Sequence, residues 1–357
     1  MIGLLRKTLS LIVCFAGAAS LAATPKNTDR SSSGTSFRLG YISEYQTDLR
    51  RSRLGNQLQL GAELPLSRSF SFHVSTISFV ATDQELLAED LLGYSNIDAP
   101  NIPLTLAVAG FRWDFLNGHS LFAGIRRMDE DYFCSDALSL FTNSSYGGVP
   151  TITGNFDIAA YPTAAMSLHY SYDRGNFGIR ASLYNGVGHD RFTGKDNVFR
   201  VCPASDGVFA LGQVEYRHND CHYFLGASLH YGNLPGTSGK KLRPTLWAYG
   251  EQALSGKFTL IVIYSHAFPV DSPCRNFYNI GGKYSIGKAD FGISSAYTRM
   301  DGIGEWATEL TGVYHLTERL YAQPVVHIIQ TDRHTRCIGM LRLGVNLSRT
   351  LRKPSWH

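Results

Sequence analysis

From Phe37 to Leu347 the chain runs as a succession of segments, each of about ten residues, in which apolar and polar side chains alternate. A β-strand points successive side chains to opposite faces, so each segment has one greasy face and one polar face. Leu58, Leu60, Ala62 and Leu64 alternate with Gln57, Gln59 and Glu63. Met166, Leu168, Tyr170 and Tyr172 alternate with Ser167, His169 and Ser171, and Phe177, Ile179, Ala181 and Leu183 with Gly178, Arg180 and Ser182. A tilted strand of about ten residues crosses a bilayer, whereas a helix needs about twenty continuous apolar ones. The pattern predicts an all-β fold, a transmembrane antiparallel β-barrel over residues 36–347. Its composition passes for that of a soluble protein, with a mean hydropathy of −0.10, 44% hydrophobic and 17% charged residues.

The alternation places strands at residues 36–45, 56–64, 69–79, 103–115, 119–127, 163–172, 176–184, 207–218, 221–231, 243–254, 257–267, 276–286, 289–299, 305–316, 319–330 and 335–347, sixteen in all. Connections sort by parity. After even-numbered strands come tight turns such as Leu116-Asn117-Gly118, Asp173-Arg174-Gly175, Asn219-Asp220 and Thr317-Glu318. After odd-numbered strands the gaps are usually longer, the longest being Val80 to Ile102, Met128 to Pro162, Asn185 to Asp206 and Gly232 to Leu242. Short turns on the periplasmic side and long loops outside are the habit of outer-membrane barrels.

A soluble antiparallel barrel or sandwich also alternates, but its apolar face is the narrow inside. Here the apolar face is rich in Leu, Tyr and Phe, and the polar face carries Arg180, Glu215, Arg217, Glu309 and Arg342. Full charges on that face suit the wet lumen of a wide barrel. Tyrosines at strand ends, among them Tyr170, Tyr172, Tyr184, Tyr216, Tyr223 and Tyr231, suit interfacial girdles.

The flanks point to export. Arg6 and Lys7 precede the apolar run Leu9 to Phe15 and small residues ending at Ala22 and Ala23, so residues 1–23 are expected to be a secretory signal peptide cleaved near Ala22 or Ala23. Residues 24–35 follow as a flexible lead-in, and residues 348–357, with Trp356, as a basic tail. Cleavage removes two of the charges behind the formal +4, a balance too weak to attract nucleic acid. The expected location is the outer membrane, with its lipid as one partner.

Five cysteines follow the signal segment. Cys134, Cys202, Cys274 and Cys337 fall at the outer end, where an oxidising compartment permits one or two disulfides among three pairings, and Cys221 is left over. His218, Cys221 and His222 flank a tight turn, but they lack a fourth ligand and neighbouring strand residues point apart, so no metal site is expected. No Gly-x-Ser-x-Gly elbow, His-Glu-x-x-His helix or P-loop occurs. A barrel-borne hydrolase built from scattered Ser, His and Asp residues is a minor alternative.

The long segment after the fifth strand holds a helix-like stretch, Asp129 to Asn143, and then Tyr146-Gly147-Gly148-Val149-Pro150. A loop of that length is usually functional, and inside a wide barrel it is the candidate for narrowing the lumen. It carries the residues Phe122-Ala123-Gly124-Ile125-Arg126-Arg127, Asp129-Glu130-Asp131-Tyr132-Phe133, Leu140-Phe141-Thr142-Asn143-Ser144-Ser145-Tyr146-Gly147 and Tyr161-Pro162-Thr163-Ala164-Ala165. In that order these segments resemble the carbohydrate-selective porins of the OprB family. Leu320-Tyr321-Ala322-Gln323-Pro324 and Asp90-Leu91-Leu92-Gly93-Tyr94-Ser95-Asn96-Ile97 are further echoes. The chain departs from the family in its length, in Ser139 before Leu140-Phe141, and in lacking a terminal aromatic on the last strand.

The resemblance implies passive diffusion of small hydrophilic solutes, sugars first, without cofactor, metal or catalytic residue. The alternative is a porin of the same fold preferring charged solutes such as amino acids or carboxylates. Arg126, Arg127, Asp129, Asp131 and Asp136 are the candidate constriction, with Arg180, Glu215, Glu309 and Arg342 across from it; equally, these charges pin the loop to the wall. Trp247 and Tyr249 share a parity with Thr245 and Glu251, facing either the lumen, as platforms for sugar rings, or the lipid girdle. A homotrimer is a further expectation, from the small, partly polar outer face of the first strand.

Overall fold

The computed structural model describes residues 34–352, apart from Lys195 and residues 233–238. The strands are β1 (Gly34–Thr47), β2 (Ser52–Pro65), β3 (Phe70–Ala81), β4 (Ile102–Asp114), β5 (His119–Arg126), β6 (Ala165–Arg174) and β7 (Phe177–Asn185). The two-residue β8 (Phe192–Thr193) and β9 (Asp196–Asn197) follow. Then come β10 (Val208–His218), β11 (Cys221–Gly232), β12 (Lys241–Ala253), β13 (Phe258–Ala267), β14 (Cys274–Ile286), β15 (Ala289–Met300), β16 (Ile303–His315), β17 (Leu320–Thr331) and β18 (Thr335–Arg352). All but β8 and β9 join one closed antiparallel barrel of sixteen strands, each next to its neighbour in sequence, with β1 also pairing β18. Closure leaves no strand edge unpaired, which a hydrocarbon environment demands.

Period 2 sorts the side chains as the sequence predicts. On β11, Leu225 and Leu229 are exposed while Phe224, Ser228 and His230 are buried; on β18, Leu341 and Leu343 are exposed and Arg342 is buried. The exposed set faces outward and the buried set faces the lumen. Two-residue turns tie neighbours on the lower and upper rims: Asn219 and Asp220, and Asp301 and Gly302, all take positive φ, the backbone that primed hairpin turns require. Aromatic rings gather at the short-turn end, where Phe70 stacks on Phe111 at 5.3 Å and Trp113 on Phe115 at 5.4 Å.

Several strand ends shift from the sequence reading, β2 for example beginning at Ser52 rather than at 56, and both outer limits of the barrel move. The last strand does not stop at Leu347 but continues to Arg352, because Ser348–Arg352 pair with Gly34–Arg38 of β1. The same pairing draws Gly34 and Thr35 out of the expected lead-in. The signal segment, the rest of the lead-in and Trp356 lie outside the described residues.

Candidate functional site

Between β5 and β6, residues 127–164 bond to inward-facing side chains around most of the barrel wall. Tyr132 Oη lies 2.9 Å from Ser182 Oγ on β7, and Ser135 Oγ lies 2.7 Å from Tyr249 Oη on β12. Thr151 donates to Ser265 on β13 at 2.7 Å, and Asn155 exchanges two bonds of 2.8 Å with the backbone of Cys274 on β14. Tyr146 meets Ser294 on β15, and Gln323 on β17 donates to the Leu140 carbonyl at 2.8 Å. Phe133 packs on Trp247 at 5.2 Å, and Phe156 stacks on His230 at 4.2 Å. One apolar cluster joins Phe133, Leu138, Phe141 and Ile152 of this segment to Phe209, Phe224, Trp247, Ile263 and Phe277 of the wall. That part of the lumen is packed like a core.

The expected helix from Asp129 to Asn143 is absent. Single 3₁₀ turns at Met128–Glu130, Leu138–Leu140 and Ser144–Tyr146 take its place, with one α-turn at Pro150–Thr153. Phe133 adopts φ +59°, which no helix accommodates, and the bonds to the wall outweigh local propensity.

The segment between β3 and β4, which the sequence did not mark as inward, also enters the lumen. Leu91 and Leu92 donate their N–H groups to Glu305 on β16 at 2.7 and 3.1 Å, and Ser95 donates to Glu44 on β1 at 2.6 Å. Leu87, Ala88 and Tyr94 pack on Val325, Ile329, Ile338 and Met340. The two segments grip each other: the Asn96 N–H donates to the Thr142 carbonyl at 2.7 Å, and the Ser144 N–H to the Gly93 carbonyl at 2.7 Å. In the sequence this segment shows as one of the longest gaps, Val80 to Ile102, and as the echo at Asp90 to Ile97, neither of which carries a direction.

The charged candidates divide by partner. Arg126, its guanidinium 4.8 Å from the Phe122 ring, forms a bidentate pair with Asp131, which also lies 3.4 Å from His169. Burial alone pushes the Asp131 carboxyl up, but Arg126 and His169 outweigh it and hold it at about 2. Arg127 reaches Glu130 at 2.5 Å and Asp129 at 3.3 Å, and Asp129 also accepts the Tyr161 N–H at 3.1 Å. Arg180 bonds Asp173 at 2.8 Å and faces Glu215 at 3.8 Å. Arg342 bonds Glu44 at 2.5 Å and Asn96 at 2.7 Å. Glu309 accepts from the Thr142 and Asn143 N–H groups at 2.8 and 3.1 Å. Asp136 is exposed. Trp247 and Tyr249 do face inward, but both are buried beneath the loop: Trp247 Nε1 donates to Gln213 at 3.0 Å and Tyr249 Oη to Glu251 at 2.7 Å. As placed, they seat the loop rather than offer open rings to a solute.

The inward face of β2–β7 carries polar pairs, Gln57 with Gln59 (3.0 Å), Ser71 with His73 (2.8 Å), Arg112 with Asp114 (2.9 Å) and Ser120 with Ser171 (2.6 Å), beside buried Ile77, Phe79 and Phe122. Ser182, His169 and Asp131 do align, with Ser182 Oγ 2.7 Å from His169 Nδ1, but Tyr132 shares the serine hydroxyl and Ser182 and His169 are buried. A substrate carbonyl has no open approach to that serine.

The expected disulfides are not formed; all five described cysteines are free. Three thiols face other groups, Cys134 the Tyr132 carbonyl, Cys274 the Thr298 hydroxyl at 3.1 Å and Cys221 the Gln252 amide at 3.3 Å, while Cys337 is exposed on the outer wall.

A closed sixteen-stranded barrel with short turns at one end, mostly longer loops at the other and two of those loops bonded to its inner wall is a fold that porins share. Solved structures agree. Pseudomonas putida OprB at high pH matches with a TM-score of 0.74 at 14% identity, over 88% of this chain and 94% of that one. An anion-selective porin from Comamonas acidovorans matches at 0.60 and 12% identity, over 89% and 100%. A loop-L8 deletion mutant of OmpT, an outer membrane protein of Vibrio cholerae, matches at 0.59 and 11%, over 88% and 100%. No family model and no curated protein matches the sequence. The likenesses show a shared fold.

Proposed function

We propose that this chain is an outer-membrane porin passing small hydrophilic solutes by passive diffusion, with uncharged sugars preferred. The observation that carries the preference is charge pairing inside the barrel. Arg53 meets Asp98 at 2.6 Å, Arg112 meets Asp114 at 2.9 Å, Arg127 meets Glu130 at 2.5 Å, Arg180 meets Asp173 at 2.8 Å and Arg342 meets Glu44 at 2.5 Å, while Arg126 is held by Asp131. A lumen whose charges cancel locally puts little net field on a passing ion, so selection falls to hydrogen-bond exchange, which the Gln, Ser and His side chains of β2–β7 offer to hydroxyls. The resemblance around the loop after β5, and the fold shared with OprB, point the same way.

One observation favours the second reading, a porin for small anions such as carboxylates: inward-facing Arg38 on β1 has no carboxylate partner among the described residues. Liposome swelling with neutral sugars of rising size, against charged solutes of matched size, separates the two. Faster entry of sugars is expected. Equal entry of glucose and arginine refutes the sugar preference, faster entry of gluconate establishes the anion porin, and no entry refutes the pore.

A further inference from the structure

The outer wall carries a groove of about 740 Å³ across the seam where the barrel closes. Register places its lining in two rows. Arg349, Phe37, Ala62 and Val74 lie level on β18, β1, β2 and β3, and Leu347, Leu39, Leu60 and Thr76 lie one step above them. These belong to the outward parity; Phe37, Leu60 and Leu347 are exposed, whereas inward-facing Glu44, Gln57 and Arg342 on the same strands are buried. The small side chain of Ala62 makes the depression. Arg319, from the short turn between β16 and β17, completes the lining.

We propose that this groove binds one anionic phospholipid of the leaflet next to the short turns, its acyl chains on the apolar rows and its phosphate between Arg319 and Arg349. Charge complementarity selects that occupant. Neither arginine side chain has a carboxylate partner among the described residues, unlike most arginines of the lumen. Both sit at the short-turn end, where strands leave the hydrocarbon and a long cationic side chain extends toward the headgroups. A zwitterionic phospholipid offers the same phosphate but carries its own ammonium, so only an anionic headgroup brings net negative charge to balance the two guanidiniums. The inference rests on the membrane-barrel reading but not on the solute, and its readout is lipid retention rather than permeation.

The test is native mass spectrometry of the full-length protein in a neutral detergent, titrated with phosphatidylglycerol or with phosphatidylcholine of the same chains. Phosphatidylglycerol is expected to be retained one per barrel, in preference to phosphatidylcholine. Arg319→Gln and Arg349→Gln should each weaken retention about fivefold, and the double variant about 25-fold, the effect of one basic residue each at a charged membrane surface. Ala62→Phe keeps both charges and fills the groove, so it should release the lipid. Gel mobility without heating checks that each variant remains a folded barrel. Equal retention of the two lipids, or phosphatidylglycerol binding unchanged in folded Ala62→Phe, overturns the proposal. An oligomer that Ala62→Phe splits into monomers without lipid loss also overturns it, by showing a second copy in the groove.

Discussion

Glu309 on β16 and Thr142, 167 residues earlier in the chain, are joined twice: the Thr142 N–H donates to the Glu309 carboxylate at 2.8 Å and its hydroxyl at 3.1 Å. The neighbouring Asn143 N–H adds a third bond at 3.1 Å, so one wall carboxylate anchors the loop after β5. Bonds to a buried charged group contribute about 1.5–3 kcal/mol, and stranded buried N–H groups cost a similar amount. Glu309→Ala should therefore loosen the loop by about 2–4 kcal/mol, and Glu309→Gln by less. Single-channel recordings should show added flicker between conductance levels in the order Ala, Gln, wild type. Indistinguishable records from all three would show that the anchor does not hold the loop.

Asp131 neutralises Arg126 inside the lumen. Asp131→Asn leaves that guanidinium uncompensated, and the zero-current potential in a salt gradient should move toward the chloride value. A carboxyl held at about 2, below its ordinary 3.8, adds stability above the unfolded value that is lost as pH falls through the folded one. Wild type should keep its selectivity down to about pH 4 and drift toward the variant's between there and about pH 2. A variant with unchanged reversal potential would place Arg126 away from the conducting path.

The strands were readable because period 2 is a property of each segment alone, and Leu229 between Ser228 and His230 declares its face without knowledge of the neighbouring strand. Several ion pairs were local too: Arg112 with Asp114 and Glu215 with Arg217 are two residues apart, hence on one face of one strand. What no local pattern carries is where an irregular segment lands. Asp129 to Asp131 resemble an acidic helix start, yet the segment is shaped by Ser182, Trp247 and Glu309, far off in sequence. The inward course of the segment between β3 and β4 depends likewise on Glu305 and Glu44. Parity alone put Trp247 toward the lumen or the lipid; only the packed loop shows that, inside, it is covered.

Asp90 gives the segment between β3 and β4 a pH dependence of opposite sign. Burial, and then the charge of Glu305, push its carboxyl from 3.8 up to about 7. The fold thus favours the neutral acid, and this contribution to stability is lost as pH rises from the unfolded value through about 7. Asp90→Asn keeps an acceptor for the Tyr94 N–H, now 2.6 Å from the carboxylate, and cannot ionise. Amide protection of residues 91–97, corrected for intrinsic exchange, should fall about thirtyfold between pH 5.5 and pH 8 in wild type, as for about 1.5 pH units of linkage below the folded value, and hold steady in the variant. Parallel behaviour of the two would refute the assignment to Asp90.

Gly226 on β11 lies beneath the indole of Trp247, so a Cβ there would fall 2.1 Å from a ring carbon. Trp247 cannot yield freely, because its Nε1 donates to Gln213 at 3.0 Å and its other side supports Phe133 of the loop. Overfilling a packed site costs about 1–3 kcal/mol, and here the displaced ring pushes on the loop as well. Gly226→Ala should lower the temperature at which the barrel loses its folded gel mobility and raise the frequency of loop-driven current steps. Trp247→Leu alone removes the ring and also destabilises. The combination should be milder than the sum of the two, because without the indole the alanine methyl has room, a coupling expected of residues in contact. Strictly additive losses would mean that the glycine is required by the backbone of β11 and not by Trp247.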